Sequence, residues 1–273
     1  MINYNGKLTP SYSVSLDISN RAFQYGDGIF ESIIYNGNKI KFQEEHWERI
    51  IEGVKGLKME ISFTKSEFEE MQLNLLEANN LIGHYARMKL IIWRKTGGLY
   101  APTESEAEFI LMAQKTEKRE LQKLQKVGLA HSVFLQKSAY SHLKTISTLP
   151  YVLAGIEKKE RELEELILTN EDGYIAEASS SNIYFLDYEN RVIYTPNLNT
   201  GCVNGVSRRY LFNNAVKFDL NIEEVKWKPE ELNSGLSVFT INVAGVNCIQ
   251  KIYTTKMGDC TEGLKLLKEI FRW

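Results

Sequence analysis

The segment Leu168–Arg209 constrains the fold of this 273-residue chain more than any other part of the sequence. Within it, Asp172-Gly173 separates two runs rich in β-branched and aromatic residues, and this dipeptide is typical of a tight hairpin turn with positive φ at both central residues. The second strand should begin near Tyr174 and carry Glu177 into the interior. Because a buried carboxylate is costly without a partner, Glu177 implies a cationic group, a metal or a protonated ring nitrogen beside it.

A helix start is predicted further along the same segment. Asn204-Gly205 precedes Val206-Ser207 and a run of apolar residues at helical spacing. A glycine followed by a small hydroxyl residue at a helix N-terminus presents backbone N–H groups and a positive dipole end, which together suit a phosphate. Considered alone, Glu177 is consistent with a surface carboxylate and Gly205 with an ordinary helix start. The two together are stronger evidence for a binding site than either residue.

Composition narrows the class of protein. A hydrophobic content of 43% and a net charge of −2 are those of a globular protein without an electrostatic reason to bind nucleic acid or an anionic membrane. Cys202, Cys248 and Cys260 are too few and too scattered for a disulfide framework or a zinc site, so no metal is predicted. The N-terminus lacks a signal pattern, and no apolar stretch approaches the roughly 18 residues of a membrane span. We therefore expect a cytoplasmic protein.

The order of predicted elements indicates an α+β fold. Asn5-Gly6 and Asn36-Gly37 predict hairpins, Thr64 begins a capping box, and an amphipathic helix is expected from Cys260 to Trp273. Hairpins and helices recur in both halves without regular βαβ alternation.

A polar stretch divides the chain. We predict a smaller N-terminal α+β domain at 1–115, an inter-domain connection at 116–126 and a larger C-terminal domain at 127–273. The connection also has the composition of a short solvated helix.

Other candidate residues have two readings on the sequence alone. Tyr25 and Phe30 flank a Gly-Asp-Gly turn, which forms either a pocket wall or a tight turn packed on the core. The connection from Arg94 to Glu106 is long for a link between two strands, which favours a functional loop. Lys144 precedes a predicted helix and, alone, reads as a surface lysine.

Six motifs in this order resemble the fold-type-IV pyridoxal-phosphate enzymes, also called the class IV aminotransferases. The motifs are RAFQYGDGIFES (21–32), HWER (46–49), HLKT (142–145), DGYIAEASSSNIYFL (172–186), TPNLNTGCVNGVSR (195–208) and FTINVAGV (239–246). The resemblance covers nearly the whole chain. It implies a two-domain fold like that of D-amino-acid aminotransferase, with antiparallel-rich sheets and packed helices. It also implies pyridoxal phosphate as cofactor and a homodimer with the active site near the subunit interface.

The resemblance also assigns roles to single residues. Lys144 would bind pyridoxal phosphate covalently and then carry protons, and Glu177 would pair with the protonated pyridine nitrogen. The residues expected around the phosphate are Arg49, Val206, Ser207, Asn242 and Val243.

Within this family the chain is most similar to the 4-amino-4-deoxychorismate lyases. Leu149 stands where branched-chain aminotransferases usually have Tyr, and the loop RKTGGLYAP (94–102) lacks the Arg-x-His pair of D-amino-acid aminotransferases. The resemblance thus implies a lyase of the folate pathway that releases pyruvate and 4-aminobenzoate. Two alternatives stay open: a class IV aminotransferase acting on branched-chain or D-amino acids with 2-oxo acids, and a cofactor-free structural homologue. The expected substrate pocket comprises Tyr25, Phe30, Arg94, Lys95 and Tyr100.

Overall fold

The computed structural model describes residues Met1–Arg272, which divide into two compact units. The first unit consists of Met1–Lys118 and Leu143–Ser147, and the second of Arg119–His142 and the residues from Thr148 onward. The predicted limits 1–115, 116–126 and 127–273 follow the linear sequence and stay a prediction. The structure adds a discontinuity that no composition shift announces, since Leu143–Ser147 lies within the predicted C-terminal domain but belongs to the first unit.

The first unit contains one antiparallel sheet in the order β2-β1-β5-β4-β3, with β3 at an edge. Its elements are β1 (Ile2–Tyr4), β2 (Lys7–Thr9), α1 (Arg21–Tyr25), β3 (Gly28–Asn36), α2 (Gln43–Gly56), α3 (Lys65–Ala78), β4 (Tyr85–Arg94) and β5 (Ala107–Lys115).

Local sequence signals explain several of these elements. Asn5 and Gly6 both have positive φ, 49° and 86°, as a two-residue hairpin turn between β1 and β2 requires. The predicted capping box is confirmed, because the Thr64 hydroxyl accepts the Glu67 backbone N–H and the Glu67 carboxylate accepts the Thr64 backbone N–H.

The core of the first unit lies between this sheet and the apolar faces of α2 and α3. Ile50 from α2 and Leu75 from α3 are fully buried against Ile33 of β3 and Leu90 of β4. Full burial of aliphatic side chains from both layers contributes about 1.5–3 kcal/mol each, so this packing holds the sheet in a fixed shape.

The second unit contains two sheets, in the orders β12-β11-β10-β13-β14-β6 and β16-β15-β7-β8-β9. Its elements are β6 (Gln122–Leu124), β7 (Val127–Leu129), α4 (Leu149–Glu160), β8 (Glu165–Thr169), β9 (Ile175–Ala178), β10 (Asn182–Asp187), β11 (Val192–Pro196), α5 (Val206–Asn214), β12 (Asn221–Val225), β13 (Ser237–Asn242), β14 (Gly245–Ile249), β15 (Lys251–Ile252), β16 (Thr255–Lys256) and α6 (Thr261–Phe271). Ile167, Ile183 and Val238 lie in a fully buried core to which both sheets contribute.

Two expectations for the second unit need correction, and a third, the terminal helix, is confirmed as far as Phe271. The hairpin at Asp172-Gly173 is confirmed, but only Gly173 has positive φ, 82°, because the turn begins at Asn170, whose side chain accepts the backbone N–H groups of Asp172 and Tyr174. The stretch considered as a short helix instead provides β6, which pairs in parallel with β14. The predicted terminal helix is present as α6, although its expected last residue, Trp273, lies outside the described residues.

One disulfide joins Cys248 to Cys260. The sequence spacing of the cysteines did not indicate it, because the pairing depends on tertiary structure. Gly258 donates its backbone N–H to the Leu236 carbonyl, which brings the residues before α6 to the start of β13, and β13 pairs with β14, the strand that carries Cys248. Across Met1–Arg272, none of the helices has both the length and the apolar character needed to cross a bilayer.

Candidate active site

Glu177 is the centre of a hydrogen-bonded group in the second unit. β9 carries it into the interior, where the residue is 4% exposed. The Tyr151 hydroxyl donates to Oε1 at 2.5 Å, and the Asn182 side chain and the Val203 backbone N–H both donate to Oε2 at 3.3 Å. The prediction of a buried carboxylate is confirmed. Each of these three neutral donors stabilises the ionised form of the carboxylate.

Asn182 links Glu177 to the start of α5. Its side-chain NH₂ also donates to the Val203 carbonyl at 2.8 Å. A Cβ placed on Gly205 would lie 2.2 Å from Asn182 Oδ1, so a larger residue at position 205 would require the Asn182 side chain to move. Gly205 is the N-cap of α5 and provides no side-chain cap, as expected for a helix start that presents its amides to an anion.

The remaining residues predicted at the phosphate lie on the α5 and β13–β14 segments. Val206 and Ser207 are buried in the first turn of α5, and the Ser207 hydroxyl donates to the Ile241 carbonyl at 3.5 Å. Asn242 ends β13, and its side chain donates to the Ser180 carbonyl at 3.1 Å. Val243 follows in the turn between β13 and β14.

Lys144 lies in the first unit on the free edge of β3. The Phe30 backbone N–H donates to the Lys144 carbonyl, and the Ile146 N–H donates to the Gly28 carbonyl, both at 3.0 Å. Thr145 thus bridges Ile29 in antiparallel register. The Lys144 Nζ is 4.4 Å from the centre of the Phe30 ring, within the range of a cation–π contact. A lysine on so regular a backbone has a restricted set of side-chain positions.

Arg49 forms a buried ionic cluster with Glu31 and His46. The Arg49 Nε and Nη2 donate to the two Glu31 oxygens at 2.7 and 2.5 Å, and the His46 Nδ1 lies 2.7 Å from Glu31 Oε2. Burial opposes ionisation of Glu31, but the Arg49 charge and then His46 outweigh it and lower the pKa of the carboxyl to about 2. Burial lowers the pKa of His46, although Glu31 opposes this shift. The cluster fixes the Arg49 guanidinium, and its role at a phosphate stays a prediction.

Two of the predicted substrate residues have structural contacts instead. The Arg94 guanidinium donates from all three nitrogens, to Asp27 and to the Leu57, Lys58 and Glu104 carbonyls.

Lys95 forms an exposed ion pair with Glu106. Tyr25 and Tyr100 do lie together, with ring centres 5.7 Å apart, and Tyr100 is 91% exposed. The Arg94 and Lys95 contacts give no support to a substrate role, whereas Tyr25, Phe30 and Tyr100 stay candidates.

Sequence reasoning missed Tyr151 and Asn182. Asn182 is the first residue of an otherwise apolar strand and is 6% exposed, and a polar residue in such a place is a usable signal. Tyr151 gives no comparable signal, because the sequence does not show which way its side chain points from α4.

The structure therefore groups the predicted residues by unit. Lys144, Phe30 and Arg49 belong to the first unit, and Glu177 with the α5 start and the β13–β14 turn belongs to the second. Within the second unit, the donor sets fit two parts of pyridoxal phosphate: a carboxylate for its ring nitrogen and a glycine-initiated helix for its phosphate.

Comparison with known proteins defines the class. Residues 28–252 match the family model of amino-transferase class IV. The chain therefore belongs to this family, whose members are pyridoxal-phosphate-dependent enzymes, and it is an enzyme.

Among individual relatives, the chain is 29% identical to aminodeoxychorismate lyase of Bacillus subtilis, over 99% of this chain and 94% of that protein. It is 26% identical to D-alanine aminotransferase of Bacillus licheniformis, over 86% and 82% of the two chains. The crystal structure of branched-chain aminotransferase from Thermoproteus uzoniensis superimposes with a TM-score of 0.86 at 18% identity, covering 99% of this chain and 94% of that one. The structural likeness confirms the predicted fold.

Proposed function

We propose that this enzyme binds pyridoxal phosphate and acts as a 4-amino-4-deoxychorismate lyase, releasing pyruvate and 4-aminobenzoate. The observation that carries the cofactor is the buried, hydrogen-bonded carboxylate of Glu177, which Asn182 links to the start of α5 at Gly205. These groups complement a protonated ring nitrogen and a phosphate.

When bound, pyridoxal phosphate supplies an electron sink that stabilises negative charge on a substrate carbon. Lys144 would hold the cofactor through its amine and, after release, would move a proton from the substrate. Its backbone pairing with β3 restricts where that amine can reach, which favours a productive orientation. Glu177 would keep a proton on the ring nitrogen, and the α5 start, Asn242 and Val243 would hold the phosphate.

Two observations support the lyase over the other activities of the family. The Bacillus subtilis lyase matches this chain over nearly its full length. The side chains of Arg94 and Lys95, at the start of the loop where D-amino-acid enzymes hold a carboxylate, are engaged with Asp27, Glu106 and backbone carbonyls. An aminotransferase is the second candidate, favoured by the 26% identity to the D-alanine aminotransferase.

The cofactor is tested by reconstitution. We expect the purified protein to take up pyridoxal phosphate with a visible absorbance band, and borohydride to fix the cofactor on Lys144 in a peptide map. Lys144→Ala should abolish the fixed adduct. Lys89→Ala is the matched control, since Lys89 Nζ is also near the Phe30 ring, at 5.4 Å. Loss of the adduct in both variants, or in neither, would contradict the assignment of Lys144.

The reaction is tested by its products. We expect stoichiometric pyruvate and 4-aminobenzoate from 4-amino-4-deoxychorismate supplied by a coupled amination of chorismate. Exchange of the amino group between D-alanine or leucine and 2-oxoglutarate, without 4-aminobenzoate formation, would instead establish the aminotransferase.

We also propose that the chain is a homodimer, as the family resemblance implies. In support, α4 exposes the apolar side chains of Leu149, Val152 and Ile156 at 64%, 53% and 49%. Their spacing places them along one side of the helix, where a protein neighbour would remove them from water. Light scattering should give twice the chain mass, and Val152→Lys should weaken the association.

A further inference from the structure

We propose that Tyr151 is a positioning residue for Glu177. The Tyr151 phenol orients the Glu177 carboxylate and limits how strongly that carboxylate holds a proton on the ring nitrogen of the cofactor. The inference rests on the proposed function, because it concerns the partner of a bound pyridine ring. Tyr151 would act through Glu177 and would not itself touch the reacting atoms.

The hydroxyl of Tyr151 approaches the Glu177 carboxylate more closely than Asn182 or Val203 does. The hydroxyl lies 2.5 Å from Oε1, whereas Asn182 and Val203 donate to Oε2 from 3.3 Å. Hydrogen bonds between a hydroxyl and an ionised carboxylate are short and strong at such distances. Different elements therefore hold the two oxygens: a side chain of α4 holds Oε1, and the Asn182 and Val203 donors hold Oε2.

The phenol is suited to remain a donor. Burial and then the Glu177 charge raise the pKa of Tyr151 well above its ordinary value, so the hydroxyl keeps its proton under all working conditions. A neutral donor stabilises the carboxylate anion and weakens it as a base. Removing the donor should therefore leave Glu177 a stronger base, which holds the ring-nitrogen proton to higher pH.

The helix that carries Tyr151 is anchored independently of Glu177. At the other end of α4, Glu157 accepts the backbone N–H groups of His131 and Ser132 at 2.9 and 2.8 Å. Ala154, between the two anchors, is fully buried against Leu166 and Leu168 of β8. With its helix fixed in this way, the phenol has a fixed distance to β9, as a positioning role requires.

The test measures the ring nitrogen directly. Protein loaded with pyridoxal phosphate labelled with ¹⁵N in the ring is titrated, and the ¹⁵N chemical shift reports the proton on that nitrogen. We expect Tyr151→Phe to raise the titration midpoint by about one to two pH units, since a hydrogen bond to a charged group contributes about 1.5–3 kcal/mol. Incorporating 3-fluorotyrosine at position 151, a stronger donor, should shift the midpoint down.

Tyr184→Phe is the matched control. Tyr184 is buried in the same unit and its hydroxyl makes no hydrogen bond within the described part of the chain. Its substitution should leave the midpoint unchanged.

Equal midpoints in Tyr151→Phe and Tyr184→Phe, with cofactor bound in both, would overturn the role of Tyr151 and leave the proposed function intact. Failure of the unsubstituted protein to bind the labelled cofactor would overturn the proposed function and this inference together. The fluorotyrosine protein, which retains the phenol and its packing, decides the question if Tyr151→Phe does not fold.

Discussion

Glu157→Gln tests how firmly α4 is attached to the second unit. Glu157 is 7% exposed, and its carboxylate accepts the His131 and Ser132 backbone N–H groups, the Ser132 hydroxyl at 2.6 Å and the Arg161 guanidinium. Burial opposes its ionisation, but the Ser132 and His131 hydrogen bonds and then Arg161 lower the pKa of Glu157 from 4.5 to about 2.

The pKa difference sets the size of the expected effect. One pH unit corresponds to about 1.4 kcal/mol, so a shift of about 2.5 units gives an upper limit of about 3.4 kcal/mol. Arg161 is 26% exposed, and solvent screening reduces the contribution to about 2 kcal/mol. Because the folded pKa lies below the unfolded one, this stability is present above pH 4.5 and is lost as the pH falls through about 2.

Urea unfolding of the second unit, followed by circular dichroism at pH 7 and near pH 3, measures the effect. At pH 7 we expect Glu157→Gln to lose about 2 kcal/mol of unfolding free energy. Near pH 3 the difference from the unsubstituted protein should fall by more than half, because the unfolded carboxyl is then protonated.

Glu160→Gln, an exposed residue at the end of the same helix, is the control and should change the unfolding free energy by less than about 0.5 kcal/mol. The reasoning would be refuted by equal stability of the two variants at pH 7, or by a difference that does not narrow in acid.

Four further substitutions have defined outcomes. Glu31→Gln should cost about 3–5 kcal/mol in urea unfolding of the first unit, because it leaves the Arg49 charge buried without its carboxylate. Burial and then Lys118 lower the pKa of Lys41 to about 7. The unsubstituted protein should therefore gain stability relative to Lys41→Met as the pH rises from 7 towards 10.5. Parallel pH profiles of stability for the two proteins would contradict this. Gly28→Ala should prevent normal folding, judged by thermal melting, since its Cβ would lie 2.3 Å from a backbone oxygen of β4. Gly155→Ala, with open space around the Cβ, should instead stabilise α4 by about 0.5–1 kcal/mol.

Features determined by a few neighbouring residues could be predicted from the sequence. The Asn5-Gly6 turn and the Thr64 capping box form as expected because backbone conformation and adjacent side chains decide them. The Gly205 helix start has the same character, and a Cβ at this position would require the Asn182 side chain to move. The burial of Glu177 followed from the apolar run around it.

Features determined by tertiary contact could not be predicted. Tyr151 meets Glu177 across 26 positions of sequence, and the orientation of α4 decides that contact. The charge of Arg94 at the start of a loop had suggested a substrate contact. In the structure, its guanidinium instead donates to Asp27 and to carbonyls of a distant turn. The Cys248–Cys260 disulfide likewise depends on the packing of two segments.

The position of Lys144 on β3 has a consequence for the newly synthesised chain. β3 is an edge strand, and the backbone of Lys144 and Ile146 pairs with its first residues. That pairing closes a loop of more than a hundred residues, so it forms late and at an entropic cost that grows with the logarithm of loop length. Until the ribosome has extended the chain past Ser147, the start of β3 is an open template for another strand. We therefore expect the segment Leu143–Ser147 to protect the first unit from aggregation by covering this edge. A fragment that ends at Lys118 lacks the segment and should aggregate.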